Sequence, residues 1–476
     1  MNEKNEKLSS EDREAAVAEL AKLSAATADN NLPVSDDELA RRFTMRHHDD
    51  FRYVAALGRW YIWRGTRWVH DDSKATFDAI RQSCRLDLGA ALIGITKESD
   101  RKRMRERLGG AATIAAVERL VSADRVHAIT SDLLDADPWL LNTPGGRLDL
   151  RTGHLQSHAP RDLCTKITAA TPDGECPLFL WALERALPDP RERDYVQRLV
   201  GYMLTGAVKE HVVALAYGTG ANGKSLIFNA IKHALGDYAI TLGSEVLMES
   251  HNDRHPTEIA VLRGARMALC SEVDSGRRWN ETRVKRLSGG DPITARLMHR
   301  DPFEFQPSHK LVLLANAKPG IRVVDEAIRR RIHLIEFSVT IPEAERDTSL
   351  PEKLKAEAAG ILAWAVAGCL DWQVGGLQPP SSILVATAMY LDREDVIAEW
   401  VRECCRPFGH VNADVKLTRV AEVKLTHLGE DGGFGTAYVD PGAARGDSGV
   451  VSARQEHQRD CQGAWGVAEH GARAPA

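Results

Sequence analysis

The stretch VVALAYGTGANGKSLIFNAIKHALG, residues 212–236, decides the reading of this chain. Its centre, Gly218-Thr219-Gly220-Ala221-Asn222-Gly223-Lys224-Ser225, meets every fixed position of G-x-x-x-x-G-K-[ST]. With glycine at about 7% of ordinary protein residues, a chance match in a chain this long is roughly a one-in-fifty event. The flanks sharpen the match. Val212–Tyr217 is an apolar run of strand length. Leu226, Ile227, Ala230, Ile231 and Ala234 follow at helical spacing, and Gly236 stands where a helix would be capped. Strand, loop and helix are the context this motif requires. Glycines allow successive backbone N–H groups to turn toward phosphate oxygens. The helix N-terminus adds its partial positive charge. The pattern predicts that Gly218–Ser225 binds ATP, with Lys224 reaching the β- and γ-phosphates and Ser225 holding Mg²⁺.

A phosphate loop of this kind needs an acid about one strand away to hold the metal and orient the attacking water. Residues 266–271, RMALCS, form a short apolar strand with Glu272 and Asp274 at its end. Glu272 is the better candidate for the catalytic carboxylate because it directly ends the apolar run. Asp274 would share the Mg²⁺ with Ser225 and Glu272. The bland alternative is a pair of solvated loop acids. Lys310–Ala315 is a second buried-strand run and ends at Asn316. Its amide could bond the water or the γ-phosphate, or simply cap the turn before Pro319. Arg329-Arg330-Arg331 then precede the apolar strand Ile332–Phe337. They read as a salt-bridged edge or as an arginine finger reaching a neighbour's ATP.

The remaining text sets the frame. The 476 residues are 43% hydrophobic and 27% charged with a formal net charge of −5, the balance of an ordinary globular protein. No run of 18 apolar residues and no signal-like N-terminus occurs, so a cytoplasmic chain without a membrane span is expected. None of the eight cysteines forms a C-x-x-C pair or a zinc spacing. Trp60, Ile62 and Trp68 flank a turn at Gly65–Thr66, which predicts a β-hairpin whose aromatics serve cross-strand packing rather than base stacking. Residues 74–130 read as helical, with the basic run Lys97–Arg107 as a solvated face. A turn-rich module with short strands starts at Leu140. Two helices divided by Pro188 and Pro190 follow, and residues 211–340 alternate strand and helix. One amphipathic helix is expected over 350–373 and another over 393–405, after a linker at Pro379–Pro380.

Several motifs in this order resemble the helicase part of the satellite-phage-type and poxvirus-type primase–helicases, superfamily 3 of the AAA+ ATPases. The resemblance covers about residues 140–408. LLNTPGGRLDLRTG and VQRLVGYMLTG resemble the module before the ATPase, GTGANGKS its Walker A and SEVDSGRR its Walker B. LSGGDPITARLMHRDPFEFQPSHKLVLLAN resembles the stretch leading to sensor 1 at Asn316, and DEAIRRRIHLIEF the arginine-finger strand. The resemblance implies an α/β AAA+ core and an ATP-dependent DNA helicase for phage, prophage or plasmid replication. It also implies a homohexameric ring around a single DNA strand, moving 3′→5′. Arg331, with Arg330 as second choice, would be the finger. Arg296, His299 and Arg300 would touch DNA from a hairpin in Thr294–Phe305.

The domain plan is a flexible N-terminal helix and linker at 1–40, a helical and hairpin region at 41–138 and a small module at 139–206. An ATPase core at 207–345, a helical region at 346–408 and a disordered tail at 409–476 follow. No priming-domain acid pattern appears, which leaves a separate primase as a partner to consider. The rivals are a DNA-binding P-loop ATPase that does not unwind and an inactive remnant of a prophage gene.

Overall fold

The computed structural model describes residues 35–249, 257–271, 276–296 and 301–394. The tail read as disordered therefore lies outside the described residues.

The first layer is a small sheet covered by helices. Helix α1 (Asp36–His47) starts at Ser35, whose side chain accepts the Glu38 N–H. Strands β1 (Phe51–Val54), β2 (Arg59–Trp63) and β3 (Trp68–His70) form an antiparallel meander. The predicted hairpin is the β2–β3 pair, with Trp63 opposite Trp68 and ring centroids 5.6 Å apart, so these aromatics pack across strands. Helices α2 (Ala75–Leu92), α3 (Glu98–Leu108) and α4 (Ala111–Ala123) follow, and β4 (Ala128–Ile129) joins β1 in parallel. Phe43, Phe51, Ile62, Ile80, Leu108, Val117 and Val121 form the core between sheet and helices. The basic run falls on α3, where Arg101, Arg103 and Arg105 pair with Glu98 and Asp100 on the same helix. It is a solvated face laced with weak surface pairs, as the spacing predicts.

A three-stranded meander, β5 (Leu140–Thr143), β6 (Gly146–Asp149) and β7 (His154–Gln156), precedes α5 (Pro177–Ala186) and α6 (Pro190–Leu204). Both helices carry proline in the first turn, where its missing N–H costs nothing.

The main sheet is wholly parallel. Strand β8 (Val213–Tyr217) leads through α7 (Lys224–Leu235) to the edge strand β9 (Ala239–Gly243). A short helix α8 (Thr257–Ala260) precedes β10 (Met267–Ser271), and α9 (Glu281–Ser288) leads to a two-stranded hairpin of β11 (Ile293–Arg296) and β12 (Pro302–Phe305). Strand β13 (Lys310–Ala315), helix α10 (Glu326–Arg329) and β14 (Ile332–Glu336) complete it. The spatial order is β14-β8-β13-β10-β9. Alternation along the strands sends one set of side chains to each face. Ala214, Ala216, Val312, Leu314 and Ile335 pack with α5, α6 and α7. Val213, Leu215, Leu311, Leu313 and Leu334 pack with α9, the hairpin and the last described helix.

The C-terminal helices differ from expectation. In place of one helix over 350–373 there are α11 (Leu350–Ala356) and α12 (Ala358–Gly375), broken at Glu357. The carboxylate of Glu357 accepts the Leu178 and Phe179 N–H groups at 3.0 and 2.8 Å, capping α5 from outside its own sequence. Helix α13 (Ser381–Glu394) begins at once after Pro379–Pro380, and the helix expected over 393–405 lies almost wholly outside the described residues. Those prolines start a helix rather than open a linker. Helix α12 alone among the described residues is long and apolar enough to cross a membrane by composition, yet it packs as a core helix. A Cβ on Gly201 of α6 would lie 2.1 Å from Cys369 N of α12, so glycine permits that crossing.

Candidate functional site

The carboxyl ends of β8 and β13 meet at the point where the chain reverses its direction of travel across the sheet, the usual place for a ligand in an open α/β sheet. The loop Gly218–Ser225 leaves β8 here. Gly220, Ala221 and Gly223 adopt positive φ of 110°, 51° and 81°, which folds the loop back over the strand end. Gly218 is required for a steric reason: a Cβ there would lie 2.1 Å from the Asn222 amide nitrogen and 2.6 Å from Phe337 O. The Asn222 side chain is buried, and its amide donates to Phe337 O at 3.2 Å while its oxygen accepts the Lys224 N–H at 3.3 Å. It therefore shapes the loop. Thr219, Ala221 and Ser225 are exposed.

Lys224 opens α7 and is only 3% exposed. Its Nζ donates to Asn316 Oδ1 at 2.7 Å, Ala315 O at 3.2 Å and Gly218 O at 3.3 Å. The sheet thus brings together two residues 92 positions apart that were picked out separately in the sequence. The result is a cation at a helix N-terminus beside a glycine-rich turn and an amide, chemistry suited to an anion such as a phosphate.

Glu272 and Asp274 lie outside the described residues. The strand leading to them, β10, runs beside β13, so its carboxyl end stands one strand beyond Asn316. Its Cys270 is buried, which pushes the thiol up to about 12 and leaves it no part as a nucleophile. Arg296 is exposed at the end of β11, whereas His299 and Arg300 lie outside the described residues.

The two arginines considered for a finger differ in burial. Arg331 is 9% exposed, and its guanidinium donates to Ser288 Oγ at 3.2 Å and Ala327 O at 2.8 Å within its own chain. Arg330 caps α10 and is exposed, and no ion pair among the described residues holds it. Arg329 pairs with Asp392 of α13 at 2.8 Å. Arg330 is therefore the more exposed of the two.

Sequence reasoning missed Lys318. Its Nζ pairs with Glu336 at 2.8 Å and lies over the rings of Tyr217, 4.6 Å away, and Tyr390, 5.9 Å away. A lone lysine three residues past a strand end carries no sequence signal of this; only the meeting of β8, β13, β14 and α13 produces it.

Taken together, these features define a glycine-rich loop and lysine site on a parallel α/β sheet. Residues 40–188 match the family described as D5 N terminal like, and residues 216–331 match a family of unknown function, DUF5906. Relatives include proteins named as helicases: L207/L206 of Acanthamoeba polyphaga mimivirus, 26% identical over 72% of this chain and 40% of that protein, and 022R of Frog virus 3, 27% identical over 46% and 25%. A protein named as a primase, C962R of African swine fever virus, is 26% identical over 42% of this chain and 22% of its own length. The chain spans between about a fifth and two fifths of the curated relatives it matches. Among solved structures, the apo NrS-1 C terminal region aligns with a TM-score of 0.46 at 12% identity, over 74% of each chain. A D5 N-terminal-like region, a DUF5906 region and similarity to viral proteins named as helicases and primases are consistent with a phage-type primase–helicase family.

Proposed function

We propose that this chain is an ATP-dependent DNA helicase of superfamily 3, built on an AAA+ core and working as a hexameric ring that tracks one DNA strand 3′→5′. The observation that carries the reading is the Lys224 Nζ–Asn316 Oδ1 contact of 2.7 Å at the carboxyl edge of the sheet. It joins a complete phosphate-loop motif to a polar side chain on the neighbouring strand, the pairing that ATP hydrolysis needs. The strand order, with β13 inserted between β8 and β10, supports the AAA+ assignment.

In this reading the N–H groups of Gly218–Ser225 and the Lys224 ammonium hold the β- and γ-phosphates. Ser225, Glu272 and Asp274 hold Mg²⁺, which neutralises charge on the phosphates. Glu272 orients the attacking water, and Asn316 fixes its position. Arg330 of one copy reaches the ATP of the next and stabilises charge in the transition state. Arg296, His299 and Arg300 contact the phosphate backbone, and repetition round a ring lets few cations per chain suffice despite a net charge of −5.

The test is strand displacement on a forked duplex, run beside DNA-stimulated ATPase, for wild type and Lys224→Ala. Wild type should do both, and Lys224→Ala neither, while keeping its fold. ATPase without displacement would favour a DNA-binding ATPase that does not unwind. Near-wild-type ATPase in Lys224→Ala would remove the loop assignment.

A further inference from the structure

Helix α13 reaches back over the site edge, and its Tyr390 sits where two loops converge. The ring is 2% exposed. Its hydroxyl accepts the indole N–H of Trp279 at 2.9 Å and donates to Pro319 O. Trp279, 1% exposed, belongs to the segment that follows the β10 side of the sheet, and Pro319 belongs to the turn that follows β13. Burial pushes the phenol pKa up, so the hydroxyl keeps its proton and can donate and accept at once. The two loops also pair directly, Trp279 N to Gly320 O and Gly320 N to Arg277 O, both at 2.9 Å. Glu394 of the same helix accepts the Ile321 N–H at 3.1 Å. On the other side of the turn, Lys318 is held by Glu336 and the Tyr217 ring. Asn316, whose amide oxygen takes the Lys224 ammonium, is the first residue of this turn.

Apart from the Asn316–Lys224 bond itself, these contacts fix residues 318–321 relative to β8, β14, α13 and the segment 277–279, and none of them touches the loop Gly218–Ser225. We propose that Tyr390 is a positioning residue for ATP hydrolysis: through the turn at Pro319 it sets where the Asn316 amide stands relative to Lys224. This rests on the helicase reading above. A catalytic amide tolerates little displacement, because a shift of about 1 Å in a supporting group costs on the order of a hundredfold in rate. The Tyr390 hydroxyl is well placed to prevent a shift of that kind, since it is buried and bonded on both sides.

The variant that isolates the hydroxyl is Tyr390→Phe, which keeps the ring against Lys318 and removes both hydrogen bonds. Its kcat should fall about tenfold, the scale of one or two lost buried hydrogen bonds. Its ATP KM, and the binding of a fluorescent ADP analogue, should stay within about twofold, because the phosphate loop is not held by this helix. Added to Asn316→Ala, Tyr390→Phe should cost nothing more in kcat, since its effect passes through that amide. Glu394→Ala, which releases Ile321 without opening the core, gives a second route: a smaller fall in kcat, again absent in the Asn316→Ala background.

Unchanged kcat in Tyr390→Phe and in Glu394→Ala overturns the proposal. So does a full additional loss in the double variant, or a loss confined to KM. If Asn316→Ala itself leaves ATPase untouched, the helicase reading of the site fails instead.

Discussion

Replacing Arg330 and Arg331 one at a time separates two roles that adjacent arginines could share. Arg331 is buried and makes two charged hydrogen bonds to Ser288 and Ala327. Ser288 keeps its bond to Val284 O at 2.6 Å, so the chief loss in Arg331→Ala is the Ala327 carbonyl and the packing of the side-chain stem. That amounts to about 2–3 kcal/mol. In a core of this size it lowers Tm by roughly 4–12 °C. Arg330 has no such partner among the described residues, so Arg330→Ala should leave Tm within about 1–2 °C, as for other exposed positions. As the finger, its loss should slow hydrolysis by ~10³–10⁵ with ATP binding intact. Melting, nucleotide titration and steady-state ATPase on both variants give the pattern. Mixing Arg330→Ala with Lys224→Ala should restore part of the activity. In a mixed ring an Arg330→Ala subunit keeps an intact loop that a Lys224→Ala neighbour can serve. Refutation would be an inactive Arg331→Ala of normal Tm beside an active Arg330→Ala. Absence of any recovery, although tagged pull-down shows mixed rings, would refute the finger equally.

Two further outcomes are expected. Glu272→Gln should bind ATP yet hydrolyse it very slowly, because a carboxamide cannot polarise water as a carboxylate does; the same phenotype in Asp274→Asn alone would exchange the two acids. Stability should fall on mild acidification: burial holds His127, His309 and His333 at about 4 against an ordinary 6.5. The unfolded chain then binds more protons between those values, and stability drops as pH falls through that window. From pH 7.5 to 5.5 each histidine contributes a loss on the order of 1 kcal/mol. Glu38 and Asp347, held at about 2 by Arg41 and Lys353, add nothing in that range. Denaturant midpoints for wild type and His309→Met check this, and an unchanged pH dependence in the variant would remove His309 from the account.

The sequence by itself determined the elements of the sheet and the loop on it. Four strands and the helix at 224–235 were legible because a buried parallel strand is a short continuous apolar run, and because glycine and proline mark its ends. The loop was legible because its chemistry is local: the glycines, Lys224 and Ser225 are adjacent in the chain. Tertiary structure alone decided what depends on distant partners. Helix breakage at Glu357 follows from a carboxylate that caps α5, 178–179 positions away. Arg330 and Arg331 are adjacent and alike in the sequence, and only the packing of Arg331 against Ser288 shows that the one is exposed and the other buried. The Lys224–Asn316 contact and the Tyr390 hydroxyl bridge join residues separated by 92, 111 and 71 positions. Periodicity reports which face of an element is buried, but not which atoms meet it there.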